Sequence, residues 1–131
     1  MVSSAERRAD GFSCRLSQIA QKLIGAATSG VHGVGTDVEL ISATPSDNEN
    51  FLQRNFTSAE LDYCRAQPDF KASLAARWSA KEALFKSMKV ESKGAAAAMK
   101  EIEVVATPSG PTIVLHGAAK ELAASKGISS F

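Results

Sequence analysis

A long helix, predicted from about Lys71 to Met88, most constrains how this chain folds. At about 100° per residue, its large apolar side chains fall on one stripe, formed by Leu74, Trp78, Phe85 and Met88. Lys81 lies in the middle of that stripe, where burying an ammonium group is costly without a partner. Lys81 therefore either meets a partner in the interior or extends along its stem to reach water.

One flank of the same helix carries Glu82, with Lys86 one turn later. A carboxylate and an amine at this spacing project side by side, and together they could hold a metal and an anionic group. The alternative is an ordinary solvated ion pair, and the helix taken alone favours that alternative.

A second acidic feature lies in the run Gly33–Ile41, which the sequence predicts to be a short β-strand. The period of two places Asp37 and Glu39 on one face of that strand, and Val38 and Leu40 on the other. Two neighbouring carboxylates repel each other, and a hard divalent cation with oxygen ligands would explain their presence. Together with Glu82 and the two helix lysines, they would suit Mg²⁺ bridging a pyrophosphate.

These two motifs resemble those of a known family. The run Gly35–Glu39, followed about forty residues later by Trp78–Ala83 and then Lys86, resembles the 4′-phosphopantetheinyl transferase superfamily. The stretches Phe51–Glu60 and Ser92–Gly94 look like the version of this family fused to the end of the fungal type I fatty acid synthase α chain. That version is related to the small bacterial holo-acyl-carrier-protein synthases.

The resemblance implies an α+β fold, in which a small antiparallel sheet packs on the long helix. It also implies an enzyme that moves 4′-phosphopantetheine from coenzyme A to a serine of an acyl carrier protein in fatty acid biosynthesis. Adenosine 3′,5′-bisphosphate is then the second product. Coenzyme A is the co-substrate and Mg²⁺ the cofactor.

Site residues follow from the same resemblance. The implied metal ligands are Asp37, Glu39 and Glu82, and the implied catalytic residues are Glu82, Lys86 and Asp37. The implied coenzyme-binding residues are Lys81, Lys86, Arg54, Lys93 and Gly94. Arg54 could instead contact the carrier protein, and Lys93 with Gly94 could be a turn with a solvated lysine. Deprotonation of the serine falls either to Glu82 or to a metal-bound water, and the sequence does not decide between them.

The end of the chain departs from the family pattern. After the position of Ile128, these proteins continue with two further strands, whereas this sequence ends at Phe131. We therefore expect a C-terminally truncated sheet with an unpaired edge. That expectation keeps two other functions open, namely a non-catalytic scaffold domain of a fatty acid synthase and a metal-dependent phosphohydrolase.

The amino-acid composition limits which classes of partner are expected. Fifteen basic and 14 acidic residues leave a net charge of +1, so no global field favours nucleic acid or an anionic membrane. The two cysteines, Cys14 and Cys64, lack metal-like spacing and suit a reducing, cytoplasmic setting. Because the small bacterial relatives self-associate, a homo-oligomer or membership of a synthase complex is expected.

The remaining elements complete a one-domain prediction. Residues 1–30 are predicted to be a linker and an amphipathic helix, and residues 31–131 the transferase domain. Within that domain we predict a short helix at Phe51, a helix opened by a capping box from Thr57 to Glu60, a hairpin, and a last helix ending at Gly127.

Overall fold

The described part of the chain is residues 30–89 and 99–131 of a computed structural model, and it contains four α-helices and one two-stranded antiparallel sheet. In chain order the elements are a 3₁₀ turn (Ile41–Ala43), helices α1 (Glu49–Asn55), α2 (Ser58–Arg65) and α3 (Phe70–Ser87), strands β1 (Ile102–Thr107) and β2 (Gly110–Leu115), and helix α4 (Gly117–Ser125). The predicted α+β class is confirmed. The predicted N-terminal helix and the segment with Lys93 and Gly94 lie outside the described residues.

The first three helices begin at polar caps that the sequence supplies. The Asn48 side chain accepts a hydrogen bond from the α1 backbone, and the Asp69 side chain does the same for α3. At α2, the Thr57 hydroxyl accepts from the Glu60 amide, and the Glu60 carboxylate accepts from the Thr57 amide. This reciprocal pair is the predicted capping box, and it satisfies two backbone donors that the helix start leaves free.

Helix α3 joins the two apolar clusters of the core. Its N-terminal half contributes Leu74 to a cluster with α1 and α2, whose buried members are Leu52, Phe56, Leu61, Cys64 and Leu74. Its C-terminal half contributes Leu84 to a second cluster with the sheet and α4, whose buried members are Leu84, Met88, Ile102, Ala119 and Ala123. The helix begins and ends within one residue of the prediction. Because it contributes to both clusters, it connects the two halves of the core.

The sheet is a hairpin, as predicted. Its register runs from Ile102 opposite Leu115 to Thr107 opposite Gly110, so two residues form the turn. Gly110 has φ +116°, a backbone conformation that favours glycine. Ile102 is buried in the cluster that also contains Leu84, so β1 packs on α3.

Helix α4 ends in a Schellman motif at the predicted glycine. Gly127 has φ +71°, its amide donates to the Ala124 carbonyl, and the Ile128 amide donates to the Ala123 carbonyl. None of the helices in the described ranges combines the length and apolarity needed to span a membrane.

The predicted strand Gly33–Ile41 is wrong. Residues 31–40 join no ladder within the described ranges, and Ile41 begins a 3₁₀ turn. The physical reason is that this segment lies along α3, where side chains of the helix donate to its carbonyls in place of a neighbouring strand. The alternation that prompted the prediction persists, since Val38 and Leu40 are exposed while Asp37 and Glu39 are partly buried.

Candidate functional site

Two side chains of α3 hold the acidic segment against the helix. The Ser79 hydroxyl donates to the Asp37 carbonyl at 3.1 Å, and the Lys86 ammonium donates to the Thr36 carbonyl at 3.3 Å. Lys86 also pairs with Oδ1 of Asp37 at 2.7 Å. Ser79 and Lys86 are seven residues apart, so they lie on the same face of α3 two turns apart. The segment is thereby fixed at Asp37.

The glycines before Asp37 allow this close approach. A Cβ atom on Gly35 would overlap the Ala83 carbonyl oxygen, and one on Gly33 would overlap the Ser87 carbonyl oxygen. Both contacts are with helix backbone, which cannot move aside as a flexible side chain can. The role of these glycines is to let the backbone of the segment lie directly on α3.

Three carboxylates meet at this junction. Asp37, Glu39 and Glu82 each offer an oxygen, and those oxygens lie within 4.8 Å of one another. All three residues are partly buried. The Oδ2 atom of Asp37 is buried and accepts no hydrogen bond from the described part of the chain. An acceptor buried in this way is costly unless another group binds it.

Burial, together with the proximity of the three acids, raises the pKa values of two of them. Burial raises the pKa of Glu39 from 4.5 to about 7, with further contributions from the charges of Asp37 and Glu82, while Lys86 opposes the shift. Burial also raises the pKa of Glu82, followed by the charge of Asp37, and Lys86 again opposes it. One ammonium group therefore does not balance the three acids.

This donor set suits a hard divalent cation. Carboxylate oxygens are the ligands that Mg²⁺ and Ca²⁺ prefer, and the unpartnered Oδ2 of Asp37 is an acceptor available to one. A cation would also offset the repulsion that raises the pKa values of Glu39 and Glu82. The three predicted metal ligands thus lie together, and their role as ligands stays a prediction.

Lys81 lies outside the acidic cluster, and its position corrects its predicted role as a coenzyme-binding residue. Its ammonium group is fully buried and pairs with Oε2 of Glu60 at 2.8 Å. Its other hydrogen bonds go to the carbonyl oxygens of Met99, at 2.9 Å, and Ile102. An ammonium group has three donors, and all three are used here. None remains for a phosphate, so we no longer propose Lys81 as a coenzyme ligand.

Of the predicted coenzyme-binding residues Arg54, Lys93 and Gly94, the described part of the chain includes Arg54. Arg54 lies exposed near the C-terminal end of α1, and within the described ranges it forms no hydrogen bond or ion pair. It lines a shallow cavity with Asn48, Asn50 and Phe51, which includes none of the three clustered acids. Lys93 and Gly94 fall outside the described residues.

A larger groove lies close to the cluster. It has a volume of about 620 Å³, and its walls come from residues 30–35, from α3, from β2 and from residues 127–131. Gly35 and Ala83 line it, and each is a near neighbour in sequence of a clustered acid. The three acids themselves lie outside its lining.

The sequence analysis missed Ser79 and Glu60. Ser79 precedes Glu82 by three residues and Lys86 by seven, so helical spacing places the three on one face, and that spacing could have identified it. Glu60 is 21 residues from Lys81 and was explained completely by its capping box. No local pattern indicates that the same carboxylate also neutralises a buried lysine.

Comparison with known proteins identifies relatives of this chain. A model of the 4′-phosphopantetheinyl transferase superfamily matches residues 33–129. Fatty acid synthase subunit alpha of Schizosaccharomyces pombe is 50% identical over 111 residues, which cover 84% of this chain. The match covers 6% of the length of that relative, so the chain corresponds to a small part of it.

Two solved structures share the fold. The holo-ACP-synthase of Plasmodium yoelii matches with a TM-score of 0.62 and 28% identity, over 76% of this chain and 80% of that one. The holo-[acyl-carrier-protein] synthase of Neisseria meningitidis matches with a TM-score of 0.66 and 25% identity, over 76% of this chain and 83% of that one.

Proposed function

The chain belongs to the 4′-phosphopantetheinyl transferase superfamily, and from that membership we propose that it transfers 4′-phosphopantetheine from coenzyme A to an acyl carrier protein in fatty acid synthesis. In this reaction the hydroxyl oxygen of a carrier serine bonds to the β-phosphorus of coenzyme A. The bond from that phosphorus to the bridging oxygen breaks, and adenosine 3′,5′-bisphosphate leaves. The serine proton has to be taken up by a base.

The observation that carries the proposal is the meeting of three carboxylates with one ammonium group. Asp37, Glu39 and Glu82 would hold Mg²⁺, and Lys86 pairs with Asp37 at the edge of the same cluster. Bound Mg²⁺ would supply positive charge that neutralises the pyrophosphate of coenzyme A. Catalysis of phosphoryl transfer depends mainly on positioning the reactants and neutralising the negative charge of the phosphate groups, and little on covalent bonds to the protein.

We propose that Lys86 binds a phosphate oxygen. Its side chain is 47% exposed although it pairs with Asp37, so its ammonium group reaches both the cluster and solvent. An ammonium group donates three hydrogen bonds, and Lys86 uses two of them within the described ranges. The third is available to an anionic substrate.

Glu82 is the base that we propose for the serine proton. A carboxylate is a common general base, and Glu82 belongs to the acidic cluster at which the pyrophosphate of coenzyme A would bind. A carboxylate has two oxygens, so one could bind the cation while the other accepts the proton.

The proposed function also includes the molecules with which this chain interacts. Similarity to fatty acid synthase alpha subunits favours a carrier domain within a synthase complex as the acceptor. A cytoplasmic setting is part of the proposal. Arg54, exposed on α1, is proposed to contact coenzyme phosphate or the carrier. Lys93 and Gly94 remain proposed neighbours of the coenzyme, and self-association remains part of the proposal.

The test is the intact mass of a purified apo acyl carrier protein after incubation with this chain, coenzyme A and Mg²⁺. We expect the carrier to gain the mass of one phosphopantetheine group. Chelation of Mg²⁺ with EDTA should prevent the gain. The variant Glu82→Gln, which has nearly the same shape, should also prevent it, because it can neither carry the negative charge nor accept the proton.

A second measurement separates the alternatives that the sequence left open. Calorimetric titration of the chain with coenzyme A, with and without Mg²⁺, should show binding that depends on the metal. A scaffold domain would show neither binding nor mass gain. A phosphohydrolase would release phosphate from coenzyme A without a carrier, and that result would contradict the transferase proposal.

A further inference from the structure

A buried ion pair lies one residue from the acidic cluster. The side chains of Lys81 and Glu60 are 0% and 1% exposed, and their charged atoms are 2.8 Å apart. Lys81 immediately precedes Glu82 on α3. The proposed transfer chemistry uses neither member of the pair. Taking two charges out of water is costly, and well-packed apolar side chains in their place are often as stable. Stability alone therefore does not explain this pair.

The pair connects three elements with directional bonds. Glu60 accepts hydrogen bonds from the Thr57 amide at the start of α2 and, at 2.8 Å, from the Val104 amide of β1. Lys81, from α3, donates to the carbonyls of Met99 and Ile102, where the chain enters β1. Apolar side chains would fill the same space, but they would not fix the direction of any of these contacts.

Fixing the direction of Lys81 also fixes Glu82. Successive residues of a helix are about 100° apart, so a fixed direction for one side chain sets the direction of the next. Side-chain atoms lie roughly 5–6 Å from the helix axis, and at that radius a rotation of about 10° moves a carboxylate by about 1 Å. Displacements of that size matter at a site where three oxygens have to meet one cation.

We propose that Lys81 and Glu60 are positioning residues, whose ion pair fixes the rotation of α3 about its axis and so keeps Glu82 turned towards Asp37 and Glu39. The ammonium of Lys81 touches neither the cation nor the substrate. It acts through Glu82. The inference rests on the proposed metal site, and it assigns a role to two residues outside that site.

The main test is the double variant Glu60→Gln with Lys81→Met, made in the full 131-residue chain. It removes both charges while nearly preserving side-chain size. The first measurement is the set of backbone amide chemical shifts for residues 36–39, 82 and 83 in the metal-free protein. The second is the Mg²⁺ dissociation constant from calorimetry, at a temperature where circular dichroism shows the variant to be folded.

We expect the amide shifts of these residues to change and Mg²⁺ binding to weaken by about 10- to 100-fold, the range found when groups that orient metal ligands are lost. The matched control is Leu61→Ala, which removes buried apolar volume beside Glu60 and leaves the ion pair intact. This control should lower the melting temperature without changing the Mg²⁺ affinity of the folded protein.

A milder variant covers the case in which the double variant does not fold. Glu60→Asp keeps both charges but shortens the carboxylate by one methylene, so Lys81 has to shift to stay paired. We expect changes in the same amide shifts and Mg²⁺ binding several-fold weaker than in the wild type.

The positioning role is overturned if a folded variant keeps the wild-type amide shifts and a Mg²⁺ dissociation constant within about twofold of the wild type. Failure of the proposed function looks different. If the wild-type chain binds no Mg²⁺, the metal chemistry is wrong, while the amide shifts of the metal-free protein still decide whether the ion pair orients Glu82.

Discussion

The charge of Glu39 depends strongly on its surroundings. Its pKa in the folded protein is about 7, well above its ordinary value of 4.5, because it is partly buried beside Asp37 and Glu82. The folded protein therefore holds this proton more tightly than the unfolded chain does. In the metal-free protein, the contribution of Glu39 to stability falls as the pH rises from about 4.5 through about 7.

The same proton competes with a metal. A cation bound by Glu39 has to displace it, so we expect Mg²⁺ affinity to rise about tenfold between pH 6 and pH 8, with proton release at the lower pH. Calorimetry in two buffers of different ionisation enthalpy measures both quantities. Glu39→Gln should bind Mg²⁺ more weakly and with a flatter pH dependence. An affinity that does not change over this range would contradict the placement of Glu39 among the ligands.

At the scale of elements, the contact between the acidic segment and α3 depends on glycine. Gly35 is required for space, because any Cβ atom would overlap the Ala83 carbonyl. We expect Gly35→Ala to lower the free energy of unfolding by about 1–3 kcal/mol, the usual cost of overpacking. It should also weaken Mg²⁺ binding, because the segment has to move away from the helix that carries Glu82.

Urea unfolding and Mg²⁺ titration measure the two effects of Gly35→Ala. The control is Val34→Ala, which changes a side chain of the same segment by removing atoms instead of adding one. That variant should bind Mg²⁺ nearly as the wild type does. Equal Mg²⁺ affinity in Gly35→Ala and the wild type would show that the close approach is not needed for the cluster.

The same elements show how far the sequence predicts this fold. Helices and hairpin were predictable because their signals are local: a capping box at Thr57, a stripe at helical spacing on α3, and a glycine at the end of α4. The strand before Ile41 was not predictable, because alternation indicates an extended backbone but does not supply a partner. Whether such a segment pairs with a strand or lies on a helix is decided by tertiary contacts.

The candidate site was predictable to a similar extent. The sequence predicted the grouping of Asp37, Glu39 and Glu82, and it left open whether Lys81 meets a partner in the interior or reaches water. It did not identify that partner, because Glu60 lies on another helix and already had a local explanation in the capping box. Lys81 and Lys86 were both predicted to bind the coenzyme, yet the side chain of Lys81 is fully buried and that of Lys86 is half exposed.

At the scale of the molecule, the described residues 31–41 carry a row of exposed apolar side chains, which we call the apolar patch. Its members are Val31, Val38, Leu40 and Ile41, and each is between 37% and 48% exposed. Apolar side chains concentrated in so short a stretch are typical of a surface that contacts another protein. The patch is therefore the surface that we expect to contribute most to self-association.

Sedimentation velocity over a range of concentrations tests this expectation. The sedimentation coefficient of the wild type should rise with concentration, and the double variant Leu40→Ser with Ile41→Ser should show a smaller rise. Val114→Ser is the control, since Val114 is similarly exposed on β2, away from the patch in sequence. If all three proteins behave alike, the patch does not mediate self-association.

The attachment of Asp37 to α3 through side chains, without a strand ladder, has a kinetic consequence. Within the described residues, the segment is held on the helix by hydrogen bonds from side chains of α3 and not by a ladder, so we expect it to open locally while the two apolar clusters stay folded. A cation that needs Asp37 and Glu82 together binds the closed form alone. At a free concentration ten times its dissociation constant, such a cation makes the open form about tenfold rarer. Metal occupancy would therefore control how fast the backbone amides of this segment exchange with solvent.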